Sequence, residues 1–442
     1  MRKILLVIVV ILILAAAAVW HIFIYGPMAF ASGSTVALAD YHGANPTGVP
    51  ASLANADLIK RGKYLTRAAD CLVCHTKPGG DRFAGGLAIP LPFGALYSTN
   101  ITSDKETGIG NYSDAEFLNA VQRGIRRDGT RLYPAMPYTS YTYITDADAL
   151  AIKAYLFSLP AVHQENRVDT LAFPFNQRWS MAFWSFFLSA NARFAPNSGQ
   201  SPEWNRGAYL AEALAHCGEC HTPRNLAFAL DNRKKFAGAL TAGWHAYNIT
   251  PDKGSGIGAW SDDQVAAYLS QGHAANHGTA AGPMAEAVDE GMSMMPPEDI
   301  HALVTYLRSV PAVASSEPAT LAPPAPEAPK AGVVADALGK KVFEQACASC
   351  HSWSGESAIS PFATITGARA INDPAATNVA QIVISGTQRH TPDGVVSMPS
   401  FGSTFSDKEI AAVVNYVTAR FGSEKSAVTA KEIADLRKQT SY

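Results

Sequence analysis

Cys71-Leu72-Val73-Cys74-His75, Cys217-Gly218-Glu219-Cys220-His221 and Cys347-Ala348-Ser349-Cys350-His351 hold all six cysteines of this 442-residue chain. Each string is a C-x-x-C pair followed at once by histidine, the attachment signature of c-type haem. The spacing has a chemical reason. Two thiols that add to the vinyl groups on one porphyrin edge must lie about one helical turn apart, and the next residue turns its imidazole to the iron as proximal ligand. Zinc needs four ligands, usually from two C-x-x-C pairs close together, and these pairs lie 146 and 130 residues apart. A thioredoxin-like dithiol does not require the histidine three times. The strings therefore predict three haem c groups on Cys71 and Cys74, Cys217 and Cys220, and Cys347 and Cys350, with His75, His221 and His351 on the irons.

A sixth iron ligand is usually methionine in high-potential electron-transfer cytochromes, and the chain has nine methionines. Met136 follows His75 in Tyr133-Pro134-Ala135-Met136-Pro137, and Met398 follows His351 in Val396-Ser397-Met398-Pro399. Both read as members of polar, Pro-containing loops ahead of predicted helices over 146–159 and 406–421. Met284, in Gly282-Pro283-Met284-Ala285, is the candidate for the second iron by its spacing from His221. Met292, Met294 and Met295 compete with it, the alternative being that they fill gaps in an apolar shell. His216, His245, His273 and His277 read as surface or hydrogen-bonded residues rather than ligands.

Around the motifs runs an internal repeat. Arg61-Gly62-Lys63-Tyr64-Leu65 recurs as Arg206-Gly207-Ala208-Tyr209-Leu210, and Phe83-Ala84-Gly85-Gly86-Leu87 as Phe236-Ala237-Gly238-Ala239-Leu240. Asn100-Ile101-Thr102 and Gly108-Ile109-Gly110 recur as Asn248-Ile249-Thr250 and Gly256-Ile257-Gly258. A third, shorter unit keeps Gly339-Lys340-Lys341-Val342-Phe343 and Asn415-Tyr416-Val417. Ser113-Asp114 and Ser261-Asp262 are helix N-cap signals, the closing segments have helical apolar periodicity, and strand signals are few. The expectation is an all-α chain of three tandem class I-like cytochrome c domains after an N-terminal hydrophobic helix. The boundaries read as 1–31 signal or anchor helix, 50–165 first domain, 166–200 aromatic-rich connector, 201–313 second domain, 314–332 Pro/Ala linker, 333–425 third domain and 426–442 C-terminal tail.

The two joins differ. Pro and Ala in 314–332 make a semi-rigid spacer, which predicts a partly independent third domain. Residues 172–188 carry Phe173, Phe175, Trp179, Phe183, Trp184, Phe186 and Phe187, either packed between domains or presented as a docking face for a partner or membrane. At the N-terminus Arg2 and Lys3 precede an apolar run from Ile4 to Tyr25, long enough to span a bilayer, with Ala29-Phe30-Ala31 as a signal-peptidase motif. The length of the run favours a retained anchor, and either outcome exports the rest of the chain. The 35 basic and 37 acidic residues give a net charge of −2, which excludes the basic footprint of a nucleic-acid binder. No catalytic triad, nucleotide loop or flavin fingerprint is evident.

With the C-x-x-C-H strings, the Asn-Ile-Thr and Gly-Ile-Gly repeats, Gly282-Pro283-Met284-Ala285 and Met398-Pro399-Ser400-Phe401-Gly402, the chain after residue 50 resembles the triple-haem cytochrome c subunits of bacterial membrane-bound dehydrogenases for alcohol, gluconate, sorbitol, fructose or aldehyde. The resemblance implies axial methionines at Met136, Met284 and Met398. It implies a catalytic dehydrogenase partner carrying a quinone, flavin or molybdenum cofactor, possibly with a small third subunit. Electrons would pass to ubiquinone or a terminal oxidase, at the periplasmic side of the bacterial inner membrane. The competing readings are an independent haem enzyme, such as a peroxidase or reductase, and a free-standing electron shuttle.

Overall fold

The computed structural model describes residues 2–23, 36, 40–43, 45–315, 337–391 and 394–439. The first unit runs from α2 (Leu58–Ala68) through α3 (Cys71–Cys74), the hairpin β1 (Ala88–Leu91) and β2 (Gly94–Tyr97), α4 (Asp114–Arg123) and α5 (Tyr138–Tyr141) to α6 (Asp146–Ser158), after an N-terminal α1 (Arg2–Phe23). The connector forms α7 (Ser180–Leu188). The second unit repeats the order: α8 (Pro202–Tyr209), α9 (Gly218–His221), β3 (Ala239–Thr241) and β4 (Trp244–Ala246), then α10 (Asp262–Gln271). It continues with β5 (His273–Ala274), β6 (Gly278–Thr279), α11 (Gly282–Glu290) and α12 (Pro297–Ser309). The third unit holds α13 (Ala337–Ala346), α14 (Ala348–His351), α15 (Thr377–Ser385), β7 (Thr387–Thr391), β8 (Gly394–Met398), α16 (Asp407–Phe421) and α17 (Ala430–Gln439).

Local chemistry sets the helix starts. Ser113, Ser261 and Ser406 cap α4, α10 and α16, each in a reciprocal box with the residue three positions on, Glu116, Gln264 or Glu409. Two orphan backbone donors are satisfied at each start, and such a cap contributes roughly 1 kcal/mol. At the other end, Gly124 (φ 62°) and Gly272 (φ 65°) take the left-handed turn that stops α4 and α10, a conformation glycine adopts without steric cost.

One crossing recurs in every unit. The opening helix packs on the closing one, α2 on α6, α8 on α12 and α13 on α16. At each crossing is a glycine where any Cβ would collide with a facing carbonyl and tyrosine: Gly62 against Ala151 and Tyr155, Gly207 against Ala302 and Tyr306, Gly339 against Ala412 and Tyr416. The repeat also contains an insertion. Ten positions lead from Arg61 to Cys71 and eleven from Arg206 to Cys217. The structure absorbs the extra residue as a π turn over Leu210–Leu214, closed by Ala215 N–H donating to the Leu210 carbonyl at 2.7 Å. Such single-turn bulges are how a helix accommodates one residue without losing its direction.

The Asn-Ile-Thr and Gly-Ile-Gly strings are brought together. Asn100 Nδ2 donates to Thr107 Oγ1 (3.0 Å) and the Val162 carbonyl (2.7 Å), and Asn248 Nδ2 does the same to Ser255 Oγ (3.0 Å) and the Val313 carbonyl (2.8 Å). Both asparagines are buried, so the repeat is a hydrogen-bonded corner that ties the loop to the end of the unit.

Four features differ from the sequence expectations. The helical fold carries four two-stranded antiparallel hairpins among the described residues. Their strands run from 2 to 5 residues, too brief for a period-two pattern to register. Residues 430–439, expected within a tail, form α17, which buries Ile433 and packs on α16 and α15. The third unit is docked on the second rather than loosely tethered. Arg389 of β7 is buried and donates to Asp289 (2.6 Å) and to the carbonyls of Gly272 (3.1 Å) and Ala280 (3.2 Å). Asn378 exchanges two bonds with the His245 backbone (2.7 and 2.9 Å), and Arg369 reaches the Asn248 carbonyl at 3.2 Å. Most of the Pro/Ala linker, 316–336, lies outside the described residues. Finally, Ile4–Leu14 of α1 are exposed, and among the described residues no helix is long and apolar enough to cross a membrane. The Ala29-Phe30-Ala31 motif lies outside the described residues.

Two hydrophobic cores result. The first is continuous across units 1 and 2, joining Leu65, Tyr141, Ile144 and Ile152 to Leu210, Leu214, Leu303 and Tyr306. The second belongs to unit 3 and centres on Phe343, Ile410, Val414 and Tyr416.

Candidate haem sites

Each C-x-x-C-H string folds into one helical turn. The histidine N–H donates back to the first cysteine's carbonyl: His75 to Cys71 at 3.1 Å, His221 to Cys217 and His351 to Cys347 at 3.0 Å. Residues three apart on a helical turn are neighbours on its surface, the spacing that two bonds to one porphyrin edge require. Each imidazole is then oriented the same way. Nδ1 lies 2.6 Å from a backbone carbonyl, that of Thr99 for His75, Tyr247 for His221 and Ala363 for His351. A carbonyl at Nδ1 fixes the tautomer with the proton there, which makes Nε2 the metal-binding nitrogen. Burial lowers the pKa of the His75 and His351 imidazoles, against the opposing pull of those carbonyls. At these two positions the neutral form, the one that binds a metal, is therefore favoured.

Burial pushes the Cys71 and Cys217 thiols up to about 12 and those of Cys220 and Cys347 to about 11; Cys74 is raised further. A redox dithiol needs the opposite, an attacking thiol held low.

Cys74, Cys217, Cys220, His221 and Met284 line one cavity of about 1200 Å³ shared by units 1 and 2, with Ala368, Asn378 and Ile382 of unit 3 on its wall. Small-molecule sites typically occupy about 300–1,000 Å³, and this one is lined mainly by apolar groups, among them Trp244, Leu269 and Ile257. A flat, largely apolar macrocycle fits such a wall. Met284 lies in the first turn of α11, and Met292 and Met295 share the cavity wall, both buried, whereas Met294 is half exposed. Cys71 and Met136 pack against the same core, Met136 in the loop just before α5. Met398 differs from its expected place: it ends strand β8, paired with Thr387. Cys347 packs on the core of unit 3, and Cys350 is exposed.

The four alternative histidines are placed as follows. His245 Nδ1 meets Asp373 at 3.1 Å and His273 Nδ1 meets Thr279 at 3.0 Å. His277 stacks on Trp260 at 3.8 Å between ring centres, and burial lowers it to about 4. His216 is half-buried beside Cys217, against the Tyr141 ring at 5.4 Å.

Several residues at the site were not singled out by the sequence. Glu219, inside the second motif, is buried and accepts from Thr139 Oγ1 (2.7 Å), Ser140 Oγ (3.0 Å) and Arg224 (2.6 Å). Burial pushes its carboxyl up, but Arg224 and the Thr139 hydroxyl outweigh that and hold it below the usual range. Asp70, next to Cys71, has a left-handed backbone (φ 53°), and burial, with Glu286 and Glu290 nearby, raises it to about 8. Their positions next to the cysteines were the available signal. Of the connector aromatics, Phe173, Phe175, Trp179, Phe183, Trp184 and Phe187 line the cavity, and all of these but Trp184 are also exposed, as is Phe186.

A C-x-x-C-H turn with a carbonyl-bound imidazole, set in an apolar helical shell, defines a c-type cytochrome site. The family model described as cytochrome c oxidase, cbb3-type, subunit III, matches residues 334–417, the third unit. The chain is 38% identical over 421 residues to the fructose dehydrogenase cytochrome subunit of Gluconobacter japonicus, covering 89% of this chain and 85% of that one. It is 37% identical over 403 residues to the gluconate 2-dehydrogenase cytochrome c subunit of Pantoea cypripedii, covering 87% and 90%. Against the cytochrome c subunit of the quinone-type alcohol dehydrogenase of Gluconacetobacter polyoxogenes it is 34% identical over 400 residues, covering 87% and 85%. The chain belongs to the family of dehydrogenase cytochrome c subunits.

Proposed function

We propose that this protein is an electron-transfer subunit holding three haem c groups, one in each of three cytochrome c domains. Cys71, Cys74 and His75 would hold the first, Cys217, Cys220 and His221 the second, and Cys347, Cys350 and His351 the third. Met136, Met284 and Met398 are the proposed distal ligands. The observation that carries the reading is the threefold repetition of one device, a C-x-x-C turn whose histidine Nδ1 meets a carbonyl at 2.6 Å. Bound haem would supply one-electron oxidation and reduction. The chain's own part is to hold each iron in a fixed apolar shell and to present an oriented imidazole to it. Substrate oxidation belongs, in this proposal, to a dehydrogenase partner, as the relatives' names suggest. The acceptor would be ubiquinone or a terminal oxidase, and the place of work the periplasmic face of the bacterial inner membrane. The basic Arg2-Lys3 followed by an apolar run supports export, the side on which haem is attached to such motifs.

Two measurements test this. Mass spectrometry of the mature protein should show three haem additions, each lost with its own cysteine pair. Met136→Ala, Met284→Ala and Met398→Ala should each lower one haem potential and open one iron to carbon monoxide. If Met284→Ala leaves all three titrations at wild type while Met292→Ala or Met295→Ala shifts one, the second assignment passes to that residue. A preparation from native membranes that brings no dehydrogenase with it would argue against the subunit reading.

A further inference from the structure

The two arginine–aspartate pairs of units 1 and 2 are completed by each other's tyrosines. In unit 1, Arg61 pairs with Asp148; the hydroxyl donated to Asp148 Oδ2, at 2.6 Å, is that of Tyr209 from unit 2. In unit 2, Arg206 pairs with Asp299 through two bonds of 2.7 and 2.8 Å, and the hydroxyl donated to Asp299 is that of Tyr64 from unit 1. Asp148, Asp299, Tyr64 and Tyr209 are all buried. A strap from the N-terminal side closes the centre: Gly48 N–H donates to Asp148 at 2.7 Å, and the Gly48 carbonyl accepts from Arg206 at 3.1 Å. The contact is reciprocal, as in an isologous dimer interface, although both halves belong to one chain.

Its placement gives it a role. Tyr64 and Tyr209 stand on α2 and α8, the helices that lead into the first and second motifs. A second tie crosses between the units, where Thr139 and Ser140 of unit 1 bond Glu219 inside the second motif. Cys74 of unit 1 and Cys220 of unit 2 line the same cavity. Buried carboxylates tolerate no loss of a partner without cost, and a close-packed interior shifts between discrete arrangements rather than sliding. The helix that leads into each attachment turn is therefore tied to the other unit, and the second turn is tied again at Glu219.

We propose that units 1 and 2 form one two-haem body in which Tyr64 and Tyr209 are positioning residues: their exchanged bonds set the spacing of the first two haems and hence the rate of electron exchange between them. This rests on the reading of the first two motifs as haem sites. The experiment uses the full chain and the variant Tyr64→Phe/Tyr209→Phe. Haem content is counted first, then the Soret circular-dichroism couplet of the facing haems and the rate of inter-haem equilibration after partial photoreduction are recorded. The expected result is three haems, a lost or altered couplet and slower equilibration. An unchanged couplet and rate, whether or not the melting temperature falls, would overturn the positioning role and leave a merely stabilising one. So would a wild type without any couplet. If the double variant does not accumulate, Tyr209→Phe alone, which leaves Tyr64–Asp299 intact, is read in the same way. A wild type lacking haem on the first or second motif would instead defeat the underlying haem reading.

Discussion

Units 1 and 2 bury each other's hydrocarbon in a continuous core, whereas unit 3 keeps its own core and is held to unit 2 by buried arginines and amide hydrogen bonds. The two interfaces therefore obey different energetics. Apolar burial contributes roughly 25 cal/mol per Å² and degrades gradually as groups are trimmed. A buried ion pair adds little net stability, because desolvation offsets attraction, yet breaking it by removing one partner is severe. Unit 3 should thus be docked in an all-or-none manner and units 1 and 2 held by many small contributions.

The sharpest way to break this comparison is Arg389→Ala, which leaves the Asp289 carboxylate buried without its arginine. We expect a loss of about 3–5 kcal/mol at the docking interface, seen in hydrogen exchange as early opening of β7 and α15 with the unit 1–2 core still protected. The paired change Arg389→Met/Asp289→Leu should recover most of the loss. Equal loosening of all three units would show that docking is not separate from the shared core.

A smaller effect separates the cores themselves. Gly207→Ala and Gly339→Ala each force a methyl onto a facing carbonyl, and overpacking of this kind typically costs about 1–3 kcal/mol. In urea unfolding followed at each proposed haem site, Gly207→Ala should destabilise the sites of units 1 and 2 together, and Gly339→Ala only that of unit 3. Loss confined to the unit 2 site in the first variant would mean that units 1 and 2 unfold separately.

The smallest effect concerns pH. His277 is lowered to about 4 in the fold by burial against Trp260, from 6.5. The unfolded chain takes up the proton first as pH falls, so stability declines from about pH 6.5 down to about pH 4 and is flat above. Because the ring is partly exposed, solvent screening limits this to about 1 kcal/mol. His277→Gln should remove that slope in thermal melts across the same range; an unchanged slope would assign the acid sensitivity to other groups.

How much of this was legible in the sequence follows from the range of each interaction. The reciprocal Glu/Gln halves of the capping boxes and the residue inserted before Cys217 emerged only with the structure, whereas the C-x-x-C-H strings and the Ser113-Asp114 and Ser261-Asp262 caps are decided within a few positions, so the sequence alone revealed them. The candidate haem residues are of this kind, and so is the recurrence of Gly62, Gly207 and Gly339. Other features depend on what arrives from far along the chain. Glu219 looks like a variable motif position until Thr139 and Ser140, some 80 residues earlier, bond it. Arg389 looks like a surface charge until Asp289, 100 residues away, accepts it. Tyr64 and Tyr209 read as ordinary core tyrosines, and only packing exchanged their partners between units. The wall shared by Met284, Met292 and Met295 is of the same origin. Sequence determined what is local: the C-x-x-C-H strings proposed to carry haem and where helices begin. Tertiary structure decided which polar groups are buried and by whom they are met, because desolvation is a property of the surroundings and not of the residue.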